Sequence, residues 1–214
     1  MLNRILLTAA AAALALHATA QPVLEPPRQV IKVDKVEVTC VALAPKGDRV
    51  LVGTSKGAYL YDLEGGRRVY AFPFEEDKST TVYHVAFNEN GEYVVLIGFT
   101  GKRWIYDVKT GKRDPDLYNH RWVPDPRALK AMGLAMGNSP FDRFYQQQEA
   151  SHDGIKAKAD RNGAVSFVDG TGTEVQRLAY AENKDQHHRA PCLFAGGLFI
   201  TGTDDGRVLL YDLR

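Results

Sequence analysis

Residues 55–63 read SKGAYLYDL, and this stretch decides the fold because the chain repeats it. It combines a turn containing Gly57, an apolar strand, and an aspartate at the end of that strand. The pattern returns at residues 101–108 (GKRWIYDV), 162–169 (NGAVSFVD) and 205–213 (DGRVLLYDL). The four aspartates are separated by 45, 62 and 43 positions, and they are Asp62, Asp107, Asp169 and Asp212. A period of about 40–45 residues is typical of a chain built from repeated small sheets.

Other predicted strands surround each repeat. Three apolar runs align as second strands, at 49–54, 93–98 and 198–202. Three further runs align as the strands before them, at 38–43, 82–87 and 191–195, and residues 67–72 read as an outer strand. Runs that are apolar at nearly every position predict strands buried on both faces. Asn162-Gly163 and Asp205-Gly206 predict type I′ hairpin turns, because both central residues of such a turn need a positive φ.

With these motifs the chain resembles the WD40 and YVTN-like propeller superfamily over residues 36–113 and 153–214. It departs from the best-known members in two ways. No Gly-His dipeptide precedes the inner strands, and Tyr-Asp replaces Trp-Asp in three repeats. We therefore do not expect the hydrogen-bonded tetrad of those members, and a generic bacterial propeller is the better description. The resemblance implies an all-β, WD40-like β-propeller of about four blades.

The predicted propeller domain covers residues 28–214. Its last repeat has no outer strand, whereas residues 28–35 read as a strand that precedes the first repeat. We expect this N-terminal strand to complete the last blade and close the ring, since closure removes exposed sheet edges. Two alternatives stay open, an open arc of blades and a homodimer in which two chains join into one larger ring.

Residues 1–20 have the composition of a cleavable signal peptide. Arg4 supplies a positive charge, 5–16 are apolar, and 18–20 form an A-x-A cleavage site. Residues 21–27 then form a linker. The apolar run is too short to span a bilayer, so we expect no membrane span. Only one charged residue lies in the peptide, which leaves 26 basic and 26 acidic residues in the mature chain. This balance argues against a nucleic-acid partner, and the leader predicts a periplasmic or secreted protein.

An insertion at about 115–152 separates the second and third repeats. Asp125-Pro126 is typical of a helix start, and apolar residues between 128 and 136 fall on one helical face. One interpretation is that the insertion caps or plugs the ring. The other is a partner-binding loop whose aromatic anchors are Trp122, Phe141, Phe144 and Tyr145. Alternatively, residues 128–136 are the inner strand of the third blade.

Four other groups of residues are candidates for a chemical or structural role. Cys40 and Cys192 occupy equivalent inner-strand positions, so they are either disulfide candidates or two buried free thiols. His84 aligns with them and is either a core residue or a ligand near the axis. The pair His187-His188 does not chelate one ion easily, because adjacent side chains of an extended chain point apart. The four repeated aspartates are interpreted as structural turn residues, each bonding to its own turn.

The sequence contains no nucleophile, metal, phosphate-loop or cofactor motif of the common kinds. It therefore predicts a protein-binding scaffold without catalysis and without a cofactor, whose partner is a protein or peptide of the cell envelope. By the resemblance, one face of the ring gathers the candidates. These are the segment from Asn183 to Arg189, which includes His187 and His188, together with Lys56, Lys102, Arg161, Asp204 and Asp205. Two alternatives remain, a subunit of a quinoprotein-like envelope enzyme and a propeller that binds a small molecule or glycan.

Overall fold

The computed structural model describes residues 23–99, 102–115, 145–160, 163–179 and 190–213. These residues form sixteen strands, numbered β1 to β16, and one short 3₁₀ helix, Tyr145–Gln148. The strands make four antiparallel sheets of four strands, called blades 1 to 4 below. The predicted all-β propeller of four blades is confirmed. The signal peptide, the predicted helix and Asn183 lie outside the described residues.

Blade 1 shows why these residues form strands. Its order is β2 (Val38–Leu43), β3 (Arg49–Thr54), β4 (Gly57–Asp62) and β5 (Arg68–Phe72). In β3 every residue from 50 to 54 is buried. A strand buried on both faces needs apolar residues at successive positions, which is the pattern that the sequence carries. Blade 1 thus lies between two neighbours.

Blades 2 and 4 follow the same plan. Blade 2 consists of β6 (His84–Phe87), β7 (Tyr93–Ile97), β8 (Arg103–Asp107) and the short β9 (Arg113–Asp114). Blade 4 consists of β14 (Cys192–Ala195), β15 (Leu198–Gly202), β16 (Arg207–Asp212) and β1 (Gln29–Lys32). The turn from β15 to β16 is not type I′, because Gly206 has a positive φ of 86° and Asp205 does not. It is a three-residue loop that ends on a left-handed glycine, another common hairpin connection.

Blade 3 corrects the predicted insertion. Its strands are β10 (Glu149–His152), β11 (Ile155–Ala159), β12 (Val165–Val168) and β13 (Glu174–Leu178). The inner strand is therefore β10, which lies inside the range assigned to the insertion, and residues 128–136 are not that strand. Asp153 and Gly154 between β10 and β11 have φ values of 46° and 79°, as a type I′ turn requires. The insertion ends before Glu149.

The N-terminal strand completes the last blade, as predicted. β1 pairs antiparallel with β16, with Gln29 opposite Leu210 and Lys32 opposite Arg207. An isolated bridge between Leu24 and Leu213 extends the pairing. β1 is thus the outer strand of blade 4, and its pairing with β16 joins the two ends of the domain.

Equivalent backbone hydrogen bonds join blade 4 to blade 1 and blade 1 to blade 2. The Val38 N–H donates to Thr203 O at 3.0 Å, and the Val82 N–H donates to Thr54 O at 2.9 Å. A glycine precedes each of these threonines. A Cβ on Gly202 would lie 2.3 Å from Val38 Cγ1, and one on Gly53 would lie 3.2 Å from Val82 Cγ1. The chain therefore attaches its first blade to its last in the way it attaches consecutive blades.

Three apolar clusters seal three junctions, between blades 4 and 1, between blades 1 and 2, and between blades 3 and 4. A fourth cluster, built on Val95, Ile97 and Ile105, belongs to blade 2 alone among the described residues. Closure of the ring between blades 2 and 3 stays a prediction. Within the described ranges no helix is long and apolar enough to cross a membrane.

Candidate functional site

A cleft of 660 Å³ opens between blades 4 and 1, and it is called the interblade cleft below. One wall is the outer part of blade 4, and the other is the outer part of blade 1. The turns from β2 to β3 and from β4 to β5 border it. The lining residues are Arg28, Gln29, Leu43, Gly47, Asp48, Arg49, Asp62, Leu63, Glu64, Arg67, Val69, Gly196, Leu198 and Leu210.

The lining separates into apolar and charged groups. The apolar side chains are Leu43, Leu63, Val69, Leu198 and Leu210. Val69 is 38% exposed, although it is a large apolar residue on a strand. Three arginines and three carboxylates provide the charges, so the lining is formally neutral. The cleft thus combines apolar and charged groups, and protein–protein interfaces contain groups of both kinds.

The turn from β4 to β5 holds the rim in place. Asp62 Oδ1 accepts hydrogen bonds from the Glu64 N–H at 2.9 Å and the Gly65 N–H at 3.1 Å. The Gly65 bond is the main cause that lowers the pKa of Asp62 below its ordinary value, with the nearby Arg67 guanidinium contributing. Arg67 Nε lies 3.6 Å from Asp62 Oδ2, and the Arg67 side chain is 85% exposed. The guanidinium therefore projects from an ordered turn into solvent.

The repeated aspartates do not all make the same contacts. Asp107 and Asp169 also accept backbone hydrogen bonds inside their own turns, from Thr110 at 2.7 Å and Thr171 at 2.8 Å. The backbone bond from Thr110 is the main cause that lowers the pKa of Asp107, whereas the hydroxyl of Thr171, which donates to Asp169 Oδ1, is the main cause that lowers the pKa of Asp169. The role of Asp212 as a turn residue stays a prediction. Within the described residues, Asp212 Oδ1 lies 3.4 Å from Arg28 Nη1, and the outer strand beside β16 is β1.

The interblade cleft exists because one position differs between two equivalent junctions. Tyr70 on β5 lies opposite Leu60, and Gln29 on β1 lies opposite Leu210, the residue in the same place of the Tyr-Asp motif. At the junction of blades 1 and 2 the phenol of Tyr70 reaches the turn of blade 2 and donates to Lys109 O at 2.8 Å. At the junction of blades 4 and 1 the shorter Gln29 leaves space.

Near the axis, the 3₁₀ helix contacts the inner strand of blade 1. Gln147 Oε1 accepts a hydrogen bond from the Val41 N–H at 2.8 Å, and Gln147 Nε2 donates to Val41 O. Val41 lies on β2, whose axial edge has no neighbouring strand in its sheet. One side chain thus satisfies both backbone groups of an edge residue. This contact fits the interpretation that the insertion plugs the ring.

Of the two alternatives for the cysteines, the structure supports the two buried free thiols. Cys40 and Cys192 are free and buried, and they lie in different apolar clusters. Cys40 Sγ donates to Val82 O at 3.8 Å, and Cys192 Sγ donates to Ala190 O at 3.8 Å. Burial raises the pKa of each thiol to about 12. Equivalent positions in the repeat face their own blade interfaces rather than each other, so both residues serve as small apolar groups.

His84 lies on β6 opposite Ile97. Burial, aided by the nearby Arg103 guanidinium, lowers its pKa to about 4, so the imidazole is neutral at ordinary pH. Among the described residues, no group of three or more His, Cys, Asp or Glu side chains is placed to hold a metal ion. The structure therefore gives His84 no ligand partners within the described part of the chain.

Most of the sequence-predicted partner residues lie outside the described residues. These are Trp122, Phe141, Phe144, Arg161, His187, His188 and Arg189, and of Tyr145 only the backbone is described. Asp204 and Asp205 form the turn from β15 to β16, and Lys56 and Lys102 lie near the equivalent turns of blades 1 and 2. These turns are at the strand ends opposite the interblade cleft. The predicted binding face stays a prediction.

Sequence reasoning missed the interblade cleft. The signal that identifies it is the register of the repeat, in which an aromatic residue of one outer strand becomes Gln29 in another. That signal needs the pairing of β1 with β16, because residues 29 and 210 are at opposite ends of the chain. The sequence predicted that the N-terminal strand pairs with the last blade, but it did not predict how the side chains fill the space between blades 4 and 1.

No protein-family model and no curated protein matches the chain. Among solved structures, it is similar to a structure of U3-55K at 10% sequence identity, with a TM-score of 0.38, over 85% of this chain and 54% of that chain. It is also similar to the WD40 repeats of RRP9 at 10% identity, with a TM-score of 0.39, over 87% of this chain and 56% of that chain. The chain thus spans about half the length of these structures.

Proposed function

We propose that this chain, a WD40-like β-propeller, is a binding scaffold of the cell envelope that holds a segment of another protein in the interblade cleft. The observation that carries the proposal is the cleft itself, whose lining combines apolar side chains with charges of both signs. Its volume of 660 Å³ lies within the range of about 300–1,000 Å³ that is common for binding pockets. Binding without catalysis is the role that this lining supports best.

The cleft is built on rigid elements, which supports a binding role. Leu198 and Leu210 belong to the apolar cluster that seals blades 4 and 1, and Leu43 packs against it. The rim charges project from hydrogen-bonded turns. A partner therefore meets a surface that needs little ordering, which reduces the entropy cost of binding.

Location in the envelope is part of the proposal and rests on residues 1–20. Expression in a bacterium with an active secretion pathway should give a periplasmic protein whose N-terminus, by Edman degradation or mass spectrometry, is Gln21. An uncleaved N-terminus in the cytoplasmic fraction would overturn this part of the proposal. It would leave the binding role of the interblade cleft untouched.

Site-specific photo-cross-linking in the native host tests the binding role. A photoreactive amino acid replaces Arg67 on the rim, and the matched control carries it at Lys112. The control is sound because Asp62 N–H donates to Arg67 O at 3.0 Å, and Asp107 N–H donates to Lys112 O at 2.9 Å, in equivalent turns. We expect a discrete cross-linked protein from position 67 only. No adduct at 67, or the same adducts at both positions, would contradict the proposal.

A further inference from the structure

We propose that the interblade cleft recognises a tyrosine side chain presented by an extended segment of the partner protein. This inference rests on the proposed function and specifies what the cleft selects. It comes from the repeat, because the chain already shows which side chain fills the equivalent space one junction further on. That side chain is Tyr70.

The contacts of Tyr70 define the template. Its hydroxyl donates to Lys109 O at 2.8 Å. Its ring lies over Gly111, where a Cβ would be only 2.5 Å from Tyr70 Cδ1. Gly111 has a φ of 70°, a left-handed conformation that glycine adopts without strain, and the lack of a Cβ leaves room for the ring. The tyrosine ring therefore packs against the glycine four residues after the motif aspartate. Its hydroxyl donates to the carbonyl oxygen two residues after that aspartate.

The same receptor groups are present in the interblade cleft. Gly66 occupies the position of Gly111, four residues after the motif aspartate, and has a φ of 62°. Glu64 occupies the position of Lys109, and it lines the cleft. A Cβ on Gly66 would lie 3.0 Å from Gln29 Nε2, so the end of the Gln29 side chain lies over this glycine and an incoming ring has to displace it. Blades 1 and 2 share these receptor groups, and at the interblade cleft the shorter Gln29 stands where Tyr70 stands at the next junction.

The guanidinium of Arg67 adds affinity for an aromatic ring. It borders the cleft and is largely exposed. Cations pack on aromatic rings elsewhere in the chain, since Arg113 Cζ lies 3.8 Å from the ring centroid of Trp104 and Arg68 Cζ lies 5.5 Å from that of Tyr59. Such contacts contribute about 0.5–1 kcal/mol at exposed sites. Rim charges of both signs suit a peptide that carries both signs around its tyrosine.

The first test uses blocked pentapeptides with a central tyrosine, phenylalanine or leucine, added to the full mature chain and followed by amide chemical shifts. We expect shifts at Gly66, Arg67 and Leu210, with affinity falling in the order tyrosine, phenylalanine, leucine. Shifts confined to other regions, or equal affinity for leucine and tyrosine, would overturn the inference.

The second test fills the cleft from within. Gln29→Tyr places the template side chain on the template position, so it should fold and should weaken tyrosine-peptide binding about tenfold or more. Gln29→Ala, which leaves the space open, should retain binding. Thermal unfolding of both variants checks the fold, and unchanged peptide binding by a folded Gln29→Tyr would overturn the inference.

The two proposals fail in different ways. If position 67 cross-links a native partner and Gln29→Tyr captures that partner as well as the unaltered chain does, the cleft binds protein but does not select an aromatic group. If position 67 cross-links nothing, the binding role itself fails.

Discussion

Blades 1 and 3 have the same four-strand plan and different surfaces. In blade 1, the face toward the preceding blade carries Val50, Val52, Tyr59 and Tyr61, all buried in one cluster. In blade 3 the equivalent positions, by strand register and motif aspartate, are Lys156, Lys158, Ser166 and Val168. Lys156 Nζ lies 2.5 Å from Glu149 Oε2, and both side chains are about half exposed. Among the described residues, blade 3 contributes to an apolar cluster through its face toward blade 4.

This difference indicates how the propeller distributes its stability. Sealed junctions bury apolar area, which contributes about 25 cal/mol per Å². Ion pairs on an exposed sheet face contribute about 0–1 kcal/mol each. We infer that the described chain is held mainly by three sealed junctions, and that one face of blade 3 contributes solubility rather than stability. Substitutions on the two faces should therefore differ in their effects.

The largest difference is expected between Val52→Lys and Lys158→Val, which exchange the residues of one repeat position. Val52 is fully buried, so a lysine there places an unpaired charge in the apolar cluster and should lower the free energy of unfolding by at least about 3 kcal/mol. Lys158→Val should change it by less than about 0.5 kcal/mol. Urea denaturation of the purified chains measures both. Equal effects would show that the two faces do not differ energetically.

A smaller effect is expected from added volume at a sealed junction. Gly202→Ala brings a Cβ within 2.3 Å of Val38 Cγ1, so blades 4 and 1 must shift apart at a cost of about 1–3 kcal/mol. Gly170→Ala in blade 3 is the control, because its Cβ would have no atom within 4 Å. Thermal unfolding should show a lower midpoint for the first variant alone. A comparable loss in the control would remove the distinction between the junctions.

A third effect concerns pH and accumulates gradually across the acid range. The pKa of His84 falls from 6.5 unfolded to about 4 in the fold. Below pH 6.5 His84 binds a proton in the unfolded chain but not in the folded chain. The free energy of unfolding therefore falls as the pH is lowered toward 4, with a slope of at most about 1.4 kcal/mol per pH unit. Denaturation between pH 7 and 4 should show this loss in the unaltered chain, and His84→Gln should reduce it. An identical pH profile in the variant would refute the assignment.

Much of the fold was predictable from local patterns. Strands β2, β3, β4, β15 and β16 match the predicted runs closely, because strands buried on both faces require consecutive apolar residues. β10 and β11 were missed, since they read EASH and IKAKA and bury only one face. The Asp153-Gly154 hairpin signal between them is the local evidence that identifies both strands.

The site was less predictable than the fold. Gln29 and Arg67 are unremarkable as single residues, and neither belongs to a motif. They become part of a cleft only when β1 pairs with β16 and blade 4 packs on blade 1. The choice between a disulfide and two free thiols also needed the tertiary structure, since Cys40 and Cys192 lie at separate junctions.

The sequence by itself determined the repeat, the four blades and the pairing of the N-terminal strand with the last blade. Those properties depend on hydrophobic periodicity and turn residues, which act over a few neighbouring positions. The tertiary structure alone decided which junctions are filled, that the cysteines remain free, and that Gln29 leaves a cleft where Tyr70 would fill one. These outcomes depend on how well side chains from distant parts of the chain fill the space between two blades, and that fit exists only in the folded structure.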